Sequence, residues 1–249
     1  MRLRSGKTLF CIFILLCILF ACVKIGKKLY HEYKPLKTEV YGYSTAEQDD
    51  DMYIYNTKPV SDAYLSGDPS GLSELDKKIY DKAVEIIENI INEDMSLYEK
   101  ELAIHDYIVL NTKYDAANLG IFHEHSRNSD NPYGVLVNGE AVCTGYTTAF
   151  KMFMDMFEIP NIIVYAEDSK RDDHAWNLIQ LDNEWYYVDV TWDDPMSRSE
   201  DLPVSHDYFN VTEEFMRLNS HVWDSSGLPE AKGTKYSYES QLKRTGRIK

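Results

Sequence analysis

Between Cys143 and Trp192 the hydrophobic pattern changes period, and that change limits this part of the chain to a helix packed against an antiparallel hairpin. Tyr146, Ala149, Phe150, Phe153, Met154 and Phe157 recur at helical spacing, with Lys151 and Asp155 outside the stripe. Cys143, three residues before Tyr146, lies on the same inward stripe and opens the helix. Asn161 to Ala166 reads as a short apolar strand, His174 to Leu181 alternates, Asp182-Asn183 offers a tight turn, and Trp185 to Trp192 returns. If Leu181 pairs with Glu184, Trp176 pairs with Asp189, and His174 sits diagonally from Asp189 on one face. A one-residue slip would put the two on opposite faces.

The chain of 249 residues divides by composition. Residues 1–28 read as a signal or membrane anchor, 29–71 as a stalk or irregular lead-in, 72–225 as the folded domain and 226–249 as a basic C-terminal tail. Arg2, Arg4 and Lys7 precede an apolar run from Thr8 to Val23. As a helix this run extends roughly 24 Å, against a hydrocarbon core of about 30 Å. It is short for a span, so the expectation is either an uncleaved anchor with Lys24 snorkelling or a lipidated Cys22 in the lipoprotein-like box Leu19-Phe20-Ala21-Cys22. Either anchor places the protein at the cell membrane with its body extracellular.

Six basic residues and no acid lie in residues 1–28, so a total charge of −15 leaves −21 on the body. An acidic body argues against nucleic acid as the partner. Of four cysteines, Cys11, Cys17 and Cys22 lie in the N-terminal apolar run. Cys143 then has no soluble partner in the chain, which excludes a disulfide framework.

Two helices precede the cysteine. Ser73 caps the first, whose stripe is Leu75, Ile79, Ala83, Ile86, Ile87, Ile90 and Ile91. The capping box Ser96-Leu97-Tyr98-Glu99 opens the second, which carries His105 and Asp106 in a structural or surface role. His123, Glu124 and His125 with Asp130 have metal-binding side chains, but in a loop of Asn, Ser and Asp they read as facing water; no metal and no cofactor is expected. Asp193-Asp194-Pro195 ends the returning strand in a turn.

A thiol at a helix N-terminus sits where backbone N–H groups and the dipole favour the thiolate. With His174 and Asp189 on the hairpin, the arrangement can supply a nucleophile, its base and the base's orienter. Each residue also has a plainer reading: a small core cysteine, a structural histidine, an acid facing water.

Gly139-Glu140-Ala141-Val142-Cys143-Thr144-Gly145-Tyr146, His174-Ala175-Trp176-Asn177 and Trp185 through Pro195 resemble the bacterial transglutaminase-like superfamily, related in layout to papain-type cysteine proteases. Ile104-His105-Asp106-Tyr107 and Tyr114-Asp115 resemble its lead-in, so the likeness covers about residues 73 to 221. The resemblance implies an α+β fold with the cysteine at the N-terminus of a helix packed on an antiparallel sheet carrying His and Asp. It implies Cys143 as nucleophile, His174 as base and Asp189 as orienter. The chemistry implied is acyl transfer through a thioester on protein or peptide amides, cell-wall peptides among them. Tyr133 and Thr144 are expected near the oxyanion or substrate cleft, and Trp176 and Trp192 either as hairpin packing or as cleft walls. Calcium sites of animal members have no counterpart here. The family also holds inactive relatives, so a catalytically silent surface binding module is the alternative.

Overall fold

The structure, a computed structural model, describes residues 54–116, 128–166, 174–194 and 203–248. The elements in chain order are α1 (Lys58–Ser66), α2 (Glu74–Ile90), α3 (Leu97–Asn111), β1 (Lys113–Tyr114), a π-helical turn (Gly134–Asn138) and β2 (Glu140–Ala141). They continue with α4 (Cys143–Met156), β3 (Asn161–Tyr165), β4 (Ala175–Leu181), β5 (Glu184–Val188), α5 (Glu213–Leu218) and α6 (Tyr238–Arg244). The anchor at 1–28 and the His123 to His125 loop lie outside the described residues. No helix among the described residues is long and apolar enough to cross a membrane.

Local chemistry sets the element ends. Ser73 accepts from the Asp76 N–H at the start of α2. At α3 the capping box is complete, with Ser96 and Glu99 each bonding the other's backbone N–H. Asp182 and Asn183 both have positive φ, 49° and 65°, as a type I′ turn demands. That turn fixes the hairpin in the register Leu181 with Glu184, Gln180 with Trp185 and onward to Asn177 with Val188. Asp189 therefore follows β5 directly, opposite Trp176.

β3, β4 and β5 form one antiparallel sheet, and β1 and β2 a short parallel pair. Alternation along the hairpin divides the apolar side chains between two cores. Ile179, Leu181, Tyr186 and Val188 join the main core with α4. Trp176, Leu178 and Tyr187 join a second core with Val164, Met216, Trp223 and Ala231. The sheet is thus covered on both faces. On the main-core side the Thr147 hydroxyl of α4 donates to the Ala175 carbonyl at 2.8 Å, and the Asn177 amide donates to the Thr147 carbonyl at 3.2 Å. These bonds pin the first turn of α4 to the head of β4.

Parts of the lead-in and of the basic C-terminal tail are packed. The described end of the lead-in contains α1, with Val60 fully buried and Tyr55 donating to Asp76 at 2.7 Å. Of the lead-in, residues 29–53 lie outside the described residues. In the C-terminal tail Ala231 and Gln241 are buried, Tyr236 stacks on Tyr98 at 5.6 Å, and α6 follows. The tail's basic residues Lys232, Lys243 and Arg244 point to solvent and conceal, in composition, the apolar side chains between them. α4 is buried nearly all round, Thr147, Thr148 and Met152 included, so the one-sided stripe read from sequence understates its burial.

Gly145 is a close-approach position. A Cβ there would lie 2.4 Å from the Ser129 carbonyl oxygen and 2.8 Å from the Ala141 Cβ. Its bareness lets the 128–131 segment lie against the first turn of α4. Gly145→Ala is expected to lower unfolding free energy by about 1–3 kcal/mol through overpacking, measured by urea denaturation; an unchanged midpoint would mean the segment yields freely.

Candidate active site

Three buried acids in the turn after β5 organise the site. Asp189 and Asp193 are fully buried and Asp194 nearly so. The Asp193 N–H donates to the Asp189 carbonyl at 3.2 Å, closing the turn. Each carboxylate binds a different element, and the expected strand-ending turn is also a junction.

Asp189 meets His174, whose Nε2 lies 2.6 Å from Asp189 Oδ2. Asp189 Oδ1 accepts from the Trp192 N–H at 3.1 Å. With Nε2 engaged, Nδ1 is the His174 nitrogen left for another partner. Cys143 opens α4 as a buried thiol. Burial works against a charged His174, but the Asp189 carboxylate outweighs it and Cys143 adds to it, pushing the ring up to about 10. Burial likewise opposes charge on Asp189, and His174 with His221 overcomes it, bringing the acid down to about 2.

His221 is the residue that sequence reasoning missed. Its Nε2 lies 2.9 Å from Asp189 Oδ2, the same oxygen that holds His174. It follows α5 in an irregular segment more than 30 residues from Asp189, and no local pattern marks it.

Asp193 meets α3. His105, fully buried, has Nε2 at 3.1 Å from Asp193 Oδ2 and Nδ1 at 3.0 Å from Asp106 Oδ1. His206 Nε2 also reaches Asp106 Oδ1, at 2.8 Å, and its ring stacks on Tyr238 at 3.7 Å. Asp193 Oδ1 accepts from the Ser205 hydroxyl and the Tyr208 N–H. Burial disfavours charge on His105, yet the two carboxylates hold it up at about 9. His105 is thus interior, while the Asp106 side chain is 34% exposed. Asp194 meets α4: the Tyr146 hydroxyl donates to its Oδ2 at 2.5 Å.

Trp192 is 43% exposed and its ring lies 5.8 Å from His174. Trp176 also lies beside His174, at 5.6 Å, and is buried in the second core. Thr144 is buried in the first turn of α4, its carbonyl accepting from Thr148. Tyr133 packs its half-buried ring against the main core.

His174, Asp189 and His221, and separately His105, Asp106 and His206, bring ligand-type atoms within 4.8 Å. In both sets the hydrogen bonds account for the approach, and a cation would have to displace protons that the carboxylates hold.

Residues 84–190 match the family model of the transglutaminase-like superfamily. Over these residues, from within α2 to just past β5, the chain is similar to that superfamily. Two solved structures are similar at low identity. One is described as a TGase, with 18% identity over 59% of this chain and 39% of that one, at a TM-score of 0.42. The other is a candidate cysteine protease from Cytophaga hutchinsonii, with 19% identity over 47% of this chain and 38% of that one, at a TM-score of 0.34. The chain thus spans about two fifths of each. Among curated proteins none matches.

The buried network has a pH signature. His174 and His105 hold protons more tightly folded than unfolded, so their stabilisation is full below about pH 6.5 and lost as pH rises towards 9 and 10. Glu101, raised by burial to about 8, acts in the same sense from pH 4.5 upward. Asp189 and Asp106, both brought to about 2, stabilise above pH 3.8 and lose that stabilisation as pH falls towards 2. Urea melts followed by tryptophan fluorescence should therefore show greatest stability near pH 4 to 6 and a decline towards pH 10, shallower in His105→Gln. Stability rising steadily to pH 9 would rule out the buried imidazolium.

Proposed function

We propose that this domain is a cysteine acyl-transfer enzyme acting on protein or peptide amides, with Cys143 as nucleophile, His174 as base and Asp189 as orienter. The observation that supports the reading is the 2.6 Å contact between His174 Nε2 and Asp189, which leaves Nδ1 as the ring nitrogen that could serve the thiol at the head of α4. In this reading the thiolate of Cys143 attacks an amide carbonyl, and backbone N–H groups at the start of α4 receive the oxyanion. The His174 imidazolium gives its proton to the departing nitrogen, amine or ammonia leaves, and a thioester remains. An amine then attacks it for transamidation, or water for hydrolysis, with His174 taking the proton and the thiol regenerated.

A catalytically silent binding module that keeps the fold is the second reading. The comparisons by themselves favour it, because they assign a fold and no reacting residue. Cys143 is also only 5% exposed, so a substrate needs access that the exposed Trp192 edge would have to provide.

Trapping separates the two. Incubating the protein with a peptide library, quenching in acid and analysing it by mass spectrometry should find an acyl group on Cys143, absent from Cys143→Ala. Iodoacetamide should label Cys143 near pH 6 and remove activity in proportion; activity that survives full labelling excludes the thioester. Asp189→Asn should lower kcat by about 10² to 10⁴, since Asn favours the wrong tautomer and gives no charge to the imidazolium. Near-native turnover in that variant would leave Asp189 a structural residue. No adduct under any condition, with thiol labelling slow, would establish the silent module.

We place the body outside the cell, held by the N-terminal apolar run as a spanning helix or through lipidated Cys22. Protease treatment of intact cells should remove the body; protection until lysis would put it in the cytoplasm.

A further inference from the structure

Asp189 serves two imidazoles, and the second has no role in the chemistry described so far. The His221 side chain is 1% exposed. Trp176 meets its ring edge-on at 4.8 Å, Trp192 lies at 4.3 Å and Tyr208 at 5.5 Å. A phenyl ring would fill such an aromatic cage as well. What a phenyl ring lacks are the two nitrogens, and both have partners: Nδ1 lies 3.2 Å from the Asn219 carbonyl oxygen and Nε2 2.9 Å from Asp189 Oδ2. The backbone entering this position is held in an uncommon conformation, with Ser220 at a φ of 71°. A left-handed serine next to a buried histidine means that the chain bends to present that ring.

The consequence follows from donor counting. A carboxylate oxygen that accepts from two imidazoles shares its negative charge between them, and the hold on either proton is weaker than with one donor alone. A third donor, the Trp192 N–H, occupies Oδ1, so the carboxylate cannot rotate to favour one ring. The titratable groups facing His221 are Asp189 from the acidic turn, His174 from the head of β4 and the Tyr208 phenol from the segment before α5. Among these only Asp189 is bonded to both histidines.

We infer that His221 is a positioning residue for the acid–base step: it fixes the orientation of Asp189 and, by drawing on the same oxygen, keeps His174 acidic enough to protonate a departing nitrogen. The inference rests on the acyl-transfer reading for its kinetic consequence, while its effect on His174 is independent of it. Without His221, Asp189 gives its charge to His174 alone. The imidazolium then becomes a weaker acid, proton delivery to the leaving group slows, and substrate binding is untouched.

The experiment compares the full-length chain with His221→Phe and His221→Gln, alongside Cys143→Ala. His174 is followed by NMR of ¹⁵N-labelled imidazoles across pH, and Cys143 by the pH profile of iodoacetamide labelling. Expected in His221→Phe is a rise of about one unit in the pH at which His174 loses its proton. The alkaline limb of Cys143 labelling should move the same way, and kcat should fall on the order of tenfold at unchanged KM. His221→Gln keeps a donor of similar reach, so its shift should have the same sign, a smaller size and most of the turnover; it carries the test if the Phe variant does not fold. An unchanged His174 titration in both variants overturns the inference, as does a loss of activity that appears only as lower thermal stability. A shifted titration in a protein with no Cys143-dependent turnover would leave His221 in its role and reject the acyl-transfer reading instead.

Discussion

The turn from Asp189 to Asp194 is the junction on which the arrangement of the molecule depends. Three carboxylates taken out of water in six residues would cost several kcal/mol each if unpartnered. Each is met by a group from another element: His174 and His221 at Asp189, His105 at Asp193, Tyr146 at Asp194. Burial makes such partners obligatory, because a carboxylate left with none would be a stranded charge in the interior. The turn therefore locates α3, α4 and the head of β4 relative to one another, and does so through directional bonds that apolar packing alone lacks.

A second set of bonds brings the cysteine into the same frame. Thr147 lies one turn after Cys143 and donates to the carbonyl of Ala175, the residue after His174. Tyr146 reaches Asp194 from the same helical turn. The start of α4, which carries Cys143, and the head of β4, next to His174, are thus fixed to each other and to the acidic turn by directional contacts. Gly145 immediately precedes these two anchors, and its missing Cβ lets the 128–131 segment close over the helix start.

Much of this was legible in the chain because the signals were local. Asp182-Asn183 is a turn whose backbone twist matches the hairpin, so one dipeptide set the pairing of β4 with β5 and the approach of His174 to Asp189. The caps at Ser73 and Ser96 are contacts over three residues. The features that escaped are long-range or diluted. His221 finds Asp189 across 32 residues and His206 finds Asp106 across 100, distances over which no periodicity carries information. Alternation gives the face on which Trp176 lies but not what covers it, so it leaves hairpin packing and a cleft wall both open, and the second core buries the ring. The apolar residues of α1 and of the C-terminal tail lay among charged and turn-forming neighbours that dominated the composition.

The sequence by itself determined α2, α3, α4 and the strands from β3 to β5, the hairpin register and the placement of a thiol at a helix start, since each is fixed by dihedral preference, side-chain period or capping over a few residues. The resemblance of three ordered segments to the transglutaminase-like superfamily rests on the same local grounds, and residues 84–190 match that superfamily's model. Only the tertiary structure decided which buried polar groups share partners: that Asp189 divides one oxygen between two histidines, that Asp193 ties the turn to α3, and that both faces of the sheet are covered. Those pairings arise from the requirement that every group excluded from water find a partner in three dimensions, and that requirement is written in no short stretch of chain.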